Sequence, residues 1–129
     1  MPKLADFSFA VKFDGTLCTR WCGSIPYFAP EVLSNLPYNP LVSDVWSAGV
    51  CLYIITNDTF PFIYKEGHEH AMLESQLARK WRFNSRTERT YSEPYKQLMR
   101  GMLNPNVDER IRTDQVSRHK WIATKPHAN

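Results

Sequence analysis

The sequence predicts a mainly α-helical domain, and three observations carry that prediction. The run from Val45 to Ile55 is apolar or small on every side. Two later stretches, 69–81 and 92–103, repeat apolar residues at helical spacing. Proline and hydroxyl residues (Pro30, Ser43, Ser92, Thr113) stand where those helices would begin. At most one strand is expected, at the front.

Lys3 to Ala10 mixes polar and apolar residues and reads as a short strand leading into a loop. Val11 to Trp21 contains Asp14 and Gly15 without periodicity, the mark of a loop. Pro30 opens a short helix, Pro30 to Asn35, because its missing N–H is one the first turn leaves unbonded. Pro37 and Pro40 then hold an extended connection. Ser43 is expected to cap the next helix, its hydroxyl accepting a first-turn N–H. Asp44 then meets the positive end of the helix dipole. A helix with no polar face, Val45 to Ile55, is expected to be buried with others packed around it. Asn57 and Asp58 end it, ahead of the bulky turn Phe60, Pro61, Phe62. Leu73, Leu77 and Trp81 recur every four residues with Met72 beside them, so Glu69 to Trp81 reads as an amphipathic helix. Ser92 begins another, with the stripe Tyr95, Leu98, Met99, Met102 and Leu103. Asn104 before Pro105 stops it. Thr113 caps a last short helix that carries Val116 and leads to Trp121 and Ile122.

The 129 residues are the size of one domain, with no internal repeat or low-complexity tract. Hydrophobic residues make up 43%, including four Trp and seven Phe, so a core can form and wholesale disorder is excluded. The net charge is +3 and the basic residues read as scattered, which gives nucleic-acid binding little support. No apolar run approaches the roughly 20 residues that cross a bilayer. Met1 to Asp6 lacks the apolar stretch of a signal peptide. Three cysteines, Cys18, Cys22 and Cys51, are an odd number. They argue against a disulfide framework and suit a reducing, cytoplasmic setting. Cys18 with Cys22, and His68 with His70, lack a second ligand pair at zinc spacing, so no metal site is read from them.

Four segments then stand in one order. They are Lys3-Leu4-Ala5-Asp6-Phe7-Ser8, then Cys22-Gly23-Ser24-Ile25-Pro26-Tyr27-Phe28-Ala29-Pro30-Glu31, then Asp44-Val45-Trp46-Ser47-Ala48-Gly49-Val50. The last runs from Met102-Leu103-Asn104-Pro105 through Arg110 to His119-Lys120-Trp121. In this order they resemble the second half of a eukaryotic serine/threonine protein kinase catalytic domain. The resemblance covers essentially the whole chain. Cys22-Gly23-Ser24, Leu36-Pro37-Tyr38-Asn39-Pro40 and Leu52-Tyr53-Ile54-Ile55 look closest to the testis-specific serine kinases, within the calmodulin-dependent and AMP-activated kinase group.

The resemblance implies a kinase C-lobe fragment without an N-lobe. Residues 1–31 would be the metal-binding turn and activation segment, and 32–129 the helical C-lobe part. Asp6 would be the Mg²⁺ ligand serving Mg-ATP in a full domain. Ser8 replaces the usual Gly, which enters positive φ more freely and so sets the mobility of that turn. Thr19, Ser24 and Tyr27 fall in the activation segment, where phosphorylation adds negative charge. The phosphorylated Thr of the closest-looking kinases falls at Arg20, one residue from Thr19. Ser24 matches a position lining the pocket beside the phosphoacceptor. Glu31 and Arg110 would form a buried ion pair, and Asp44 would accept hydrogen bonds from the catalytic-loop backbone. Trp46, Gly49, Trp81 and Trp121 would be core packing.

A working kinase also uses a Gly-rich loop, a strand Lys, a catalytic Asp and a metal-binding Asn. None of these motifs occurs in the 129 residues. They are expected upstream of position 1. The chain alone is expected to hold no cofactor, to transfer no phosphate, and to need the N-lobe or a partner for stability. The alternatives are a non-catalytic, pseudokinase-like module binding proteins through 69–81, and a helical domain unrelated to kinases. Protein substrates or partners are expected, with no nucleic acid and no membrane.

Overall fold

A computed structural model describes residues 1–123. The end of the predicted domain, 124–129, lies outside the described residues. The order is α1 (Pro30–Leu33), α2 (Pro40–Asn57), α3 (Glu69–Leu77), α4 (Glu93–Met102), α5 (Thr113–Ser117) and α6 (Lys120–Ala123). Single 3-10 turns occupy Ile25–Tyr27 and Glu88–Thr90. The mainly α fold class holds.

The expected strand at the front is not formed. Residues 1–10 are all exposed, and the one β-type pairing among the described residues is an isolated bridge, Cys18 to Tyr38. A strand persists only when a neighbour takes its N–H and C=O groups, and no described segment pairs its backbone with Lys3 to Ala10.

α1 ends at Leu33, short of the expected Asn35. Ser34 Oγ donates to the Pro30 carbonyl at 2.8 Å, and Asn35 turns left-handed at φ +55°. Asparagine tolerates that conformation better than most residues, so it stops the helix.

α2 begins earlier than expected. Its cap is Asn39, whose Oδ1 accepts from the Leu41 N–H at 3.0 Å, and Pro40 is its first residue. Pro40 therefore starts the helix instead of extending the connection. Ser43 is not a cap: it is buried inside the first turns and its Oγ donates to the Pro40 carbonyl at 3.1 Å. Asp44 lies past the first turn, so the dipole argument for it fails. Asp58, at φ +59°, closes the other end by donating its N–H to the Ile54 carbonyl at 2.8 Å.

The burial of α2 is one-sided. Val42, Val45, Trp46, Gly49, Val50 and Tyr53 face inward. Leu41, Asp44, Ala48, Cys51 and Ile55, spaced as one helical stripe, are exposed, with Ile55 at 80%. A wholly buried helix was expected from its composition; the described residues cover only one face.

Trp46 is fully buried and stacks on Phe62, with centroids 5.7 Å apart. Val50, Met72, Tyr95, Met99 and Leu103 join that cluster. α3 stops at Leu77, not Trp81, because Arg79 turns left-handed at φ +55° and Lys80 N–H reaches back to the Ser75 carbonyl. Its buried stripe is Met72 and Gln76, whereas Leu77 is 56% exposed. The spacing was right and the face was one step off.

Ser92 does cap α4, Oγ accepting from Tyr95 N–H at 3.3 Å, and the stripe Tyr95, Leu98, Met99, Met102 is buried. α5 is capped from Arg112, whose N–H donates to Gln115 Oε1 at 2.8 Å; Thr113 is its first residue instead. Trp121 of α6 packs its ring against Tyr95 at 5.5 Å.

α2 and α4 touch most closely at Gly49. A Cβ there would stand 2.8 Å from Met102 Cβ and 3.2 Å from Leu103 Cδ2. Neither helix can move without disturbing the core, so Gly49→Ala is expected to cost about 1–3 kcal/mol by overpacking. Urea unfolding followed by tryptophan fluorescence checks this. An unchanged midpoint would show that the two helices separate freely.

Candidate functional site

Arg110 is the most connected charged group of the fold. Its side chain is fully buried, and Glu31, at the start of α1, is 11% exposed. The two meet as a fork: Nη1 to Oε1 at 2.6 Å and Nη2 to Oε2 at 2.9 Å. Nε donates to the Asn104 carbonyl at 2.8 Å and Nη1 also to the Val42 carbonyl at 3.1 Å. The guanidinium lies over Trp46, 5.1 Å from the ring centroid. One cation thus holds α1, α2 and the loop after α4 together, through four N–H donations to fixed acceptors.

Asp6 lies at the other extreme, in an exposed turn at φ +60°. Its Oδ1 accepts from Ser8 Oγ at 2.7 Å and from Ser8 N–H at 3.2 Å. Those two bonds, the hydroxyl first, hold its carboxyl below the usual aspartate range. The left-handed residue of this turn is Asp6, not Ser8. Ser8 therefore does not bear the conformational cost expected for it and serves as the donor that fixes the carboxylate.

Asp6 and Asp44 line one cavity of about 420 Å³ between the N-terminal segment and the start of α2. Cys18, Arg20, Cys22 and Ser47 share that lining. No group of three or more His, Cys, Asp or Glu side chains with metal-binding spacing exists among the described residues. One ionised carboxylate still fits Mg²⁺, which takes one or two protein carboxylates and completes its shell with phosphate and water. The Asp44 carboxylate has no hydrogen-bond partner among the described residues, and partial burial pushes its pKa upward.

The activation-segment candidates are dispersed. Thr19 and Ser24 are exposed, and neither lines the cavity. Tyr27 packs edge-on against Phe60 at 5.5 Å, and its carbonyl accepts from Ser47 Oγ at 2.9 Å. Three contacts that the sequence reading missed pin this segment down. Tyr38 OH donates to the Arg20 carbonyl at 2.7 Å, and Trp21 Nε1 to the Val32 carbonyl at 2.7 Å. Gln76, fully buried on α3, donates Nε2 to the Phe28 carbonyl at 2.9 Å. A polar residue four positions from buried Met72 was the available signal for it. Near the bridge, hydrogen bonds from Tyr38 and then from the Arg20 backbone lower the Cys18 thiol. Burial raises the Tyr38 phenol.

A sequence model of the protein kinase domain matches residues 1–122. The chain belongs to the protein kinase family. It is 36% identical over 129 residues to human testis-specific serine/threonine-protein kinase 1, covering 95% of this chain and 34% of that protein. It is 35% identical over 133 residues to mouse testis-specific serine/threonine-protein kinase 2, covering 98% of this chain and 36% of that protein. It is 34% identical over 120 residues to CBL-interacting protein kinase 29 of Oryza sativa, covering 93% of this chain and 26% of that protein. The chain therefore spans about a third or less of these relatives. No described helix is long and apolar enough to cross a membrane.

Three outcomes follow. Arg110→Ala leaves a buried carboxylate unpaired and is expected to cost about 3–5 kcal/mol. The double change Arg110→Met with Glu31→Leu is expected to recover much of that loss in denaturation experiments, since both charges then leave the core. Asp44 has the reverse sign of the usual carboxylate. Its folded pKa is raised, so the folded state binds more protons and stability falls as pH rises from the unfolded value through the folded one. Asp44→Asn is expected to raise the urea midpoint at pH 7. Below the unfolded carboxylate pKa the gain disappears.

Proposed function

We propose that these residues supply the activation segment and the helical part of the large lobe to a serine/threonine protein kinase domain. That domain transfers phosphate from Mg-ATP to protein hydroxyls. The Glu31–Arg110 fork carries the reading. It ties the Ala29-Pro30-Glu31 end of the activation segment to the loop after α4, and so fixes a platform for a protein substrate.

In this reading Asp6 gives one carboxylate to Mg²⁺, and the metal neutralises charge on the phosphates when bound. Ser8 donates to that carboxylate and restricts its orientation. Ser24 lies at the start of the turn 25–27 and helps shape the site beside the phosphoacceptor, which suits Ser or Thr. Thr19 is the candidate modification site, exposed beside Arg20. The open stripe Leu41, Ala48, Cys51, Ile55 on α2 is where the rest of a catalytic domain packs. Each large apolar side chain left in water there forfeits roughly 1.5–3 kcal/mol of burial.

The test replaces the matching third of human testis-specific serine/threonine-protein kinase 1 with residues 1–122 of this chain. The chimera is expected to phosphorylate serine peptides in preference to tyrosine peptides. Asp6→Asn in the chimera is expected to lower kcat by at least about 100-fold, the scale of losing one electrostatic stabiliser of the transition state. The 129-residue chain alone is expected to show no ATP turnover. A chimera that melts cooperatively yet transfers nothing would favour a non-catalytic binding role. Full activity with Asp6→Asn would remove Asp6 from the metal site.

A further inference from the structure

The stretch 79–90, between α3 and α4, holds Arg79, Lys80, Arg82, Arg86 and Arg89 against a single acid, Glu88. That is a net +4 on a chain whose total is +3, so the remainder sums to −1. The basic residues that read as scattered are in fact concentrated in one connection. This connection walls a cavity of about 530 Å³. Its lining joins half-buried Trp81 and Phe83 and buried Leu103 to exposed Arg79, Arg82 and Arg100.

Some of these charges are already answered. Arg100 Nη1 lies 3.5 Å from Glu93, and its guanidinium lies over the Phe83 ring. Glu88, the one acid in the lining, has Lys96 Nζ at 3.9 Å. Arg79 and Arg82 are different. Neither side chain has a hydrogen bond or ion pair among the described residues. Arg79 is also held at φ +55°, a conformation that glycine enters freely and arginine enters at a cost. Two unanswered guanidinium groups thus flank an apolar hollow.

We propose that this cavity is a docking site for an acidic peptide segment of a partner protein. An apolar side chain enters the hollow that Trp81, Phe83 and Leu103 line, and flanking carboxylates meet Arg79 and Arg82. Guanidinium groups pair with carboxylates through two parallel bonds, and Trp and Arg are both enriched among the residues that carry most interface binding energy. A nucleic-acid strand suits the cavity less well, because bases stack on free aromatic faces. The Phe83 ring already carries two cations, Lys96 and Arg100, each 5.8 Å from its centroid. Trp81 is held edge-on between Tyr53 and Phe83, at 5.9 and 5.1 Å. The proposal does not rest on phosphoryl transfer, and its test uses no ATP.

The test titrates the full 129-residue chain into a fluorescein-labelled peptide with one leucine flanked on both sides by glutamates, read by anisotropy. A matched peptide with glutamines, and a labelled single-stranded oligonucleotide, are run beside it. The glutamate peptide is expected to bind, to weaken as salt rises, and to outcompete both controls. Arg79→Gly with Arg82→Gln is expected to weaken it about tenfold, the combined effect of two exposed ion pairs. Glycine suits the left-handed position, and the Arg82 side chain has no partner to lose while its carbonyl keeps the bond from Tyr53, so circular dichroism is expected to show an unchanged fold. No binding by the folded chain would overturn the proposal. So would equal binding of the double variant, equal binding of the glutamine peptide, or tighter binding of the oligonucleotide.

Discussion

The guanidinium of Arg110 has left water completely, and the fold is arranged around making that tolerable. A buried cation alone is strongly unfavourable, so its five N–H groups need acceptors that cannot drift away. The acceptors come from three separate stretches of chain: Glu31 of α1, the Val42 carbonyl of α2 and the Asn104 carbonyl after α4. Trp46 supplies a ring face under the same group. Because one planar fork must satisfy all of them, the positions of the three stretches are set relative to one another. Hydrophobic burial of Trp46, Val50 and Met99 supplies the bulk of the driving force, but burial is indifferent to direction. The fork selects one arrangement from the many that bury similar area.

That division of labour explains what was legible beforehand. α4 was read correctly because its information is local: Ser92 as cap, a stripe at helical spacing, Asn104-Pro105 as stop. α2 was read as helix, but its start was missed, because two cap signals compete there. Asn39 followed by Pro40 offers a cap and a preset first residue, and it wins over Ser43 by adding a full turn of hydrogen bonds. The burial face of α3 was illegible for another reason. Leu73, Leu77 and Trp81 outweigh Met72 and Gln76 in hydrophobicity, yet Gln76 has a carbonyl to satisfy inside and Leu77 has none. A tertiary hydrogen bond overrode composition.

The site was legible only in part, and the boundary is physical. The pairing of Glu31 with Arg110 spans 79 residues, so no local rule finds it; the family resemblance did. The turn at Asp6 was found as a motif, but the roles within it were exchanged between Asp6 and Ser8. Aspartate enters the left-handed region more readily than most residues, and here the Ser8 hydroxyl and backbone N–H both donate to it. The cluster of arginines after α3 was visible as composition but was averaged away over the whole chain. Only the fold shows that Arg79 and Arg82 border the same hollow as Trp81 and Phe83.

The anchored and the open parts of the molecule sit side by side in the chain. From Cys18 onward the segment is tied down by the bridge to Tyr38, by Trp21 to Val32, by Ser47 to Tyr27 and by Gln76 to Phe28. Before Cys18, Leu4, Phe7, Phe9 and Val11 are all more than half exposed. Local opening free energy follows buried contacts, so the two parts should exchange backbone protons at very different rates. The carboxylate of Asp6 thus belongs to the loosely held part, whereas the turn Ile25–Tyr27 belongs to the anchored part. The exposed turn of Asp6 has few contacts that fix it beyond its bonds to Ser8. The turn Ile25–Tyr27 and the residue after it are held by bonds from Ser47 of α2 and Gln76 of α3.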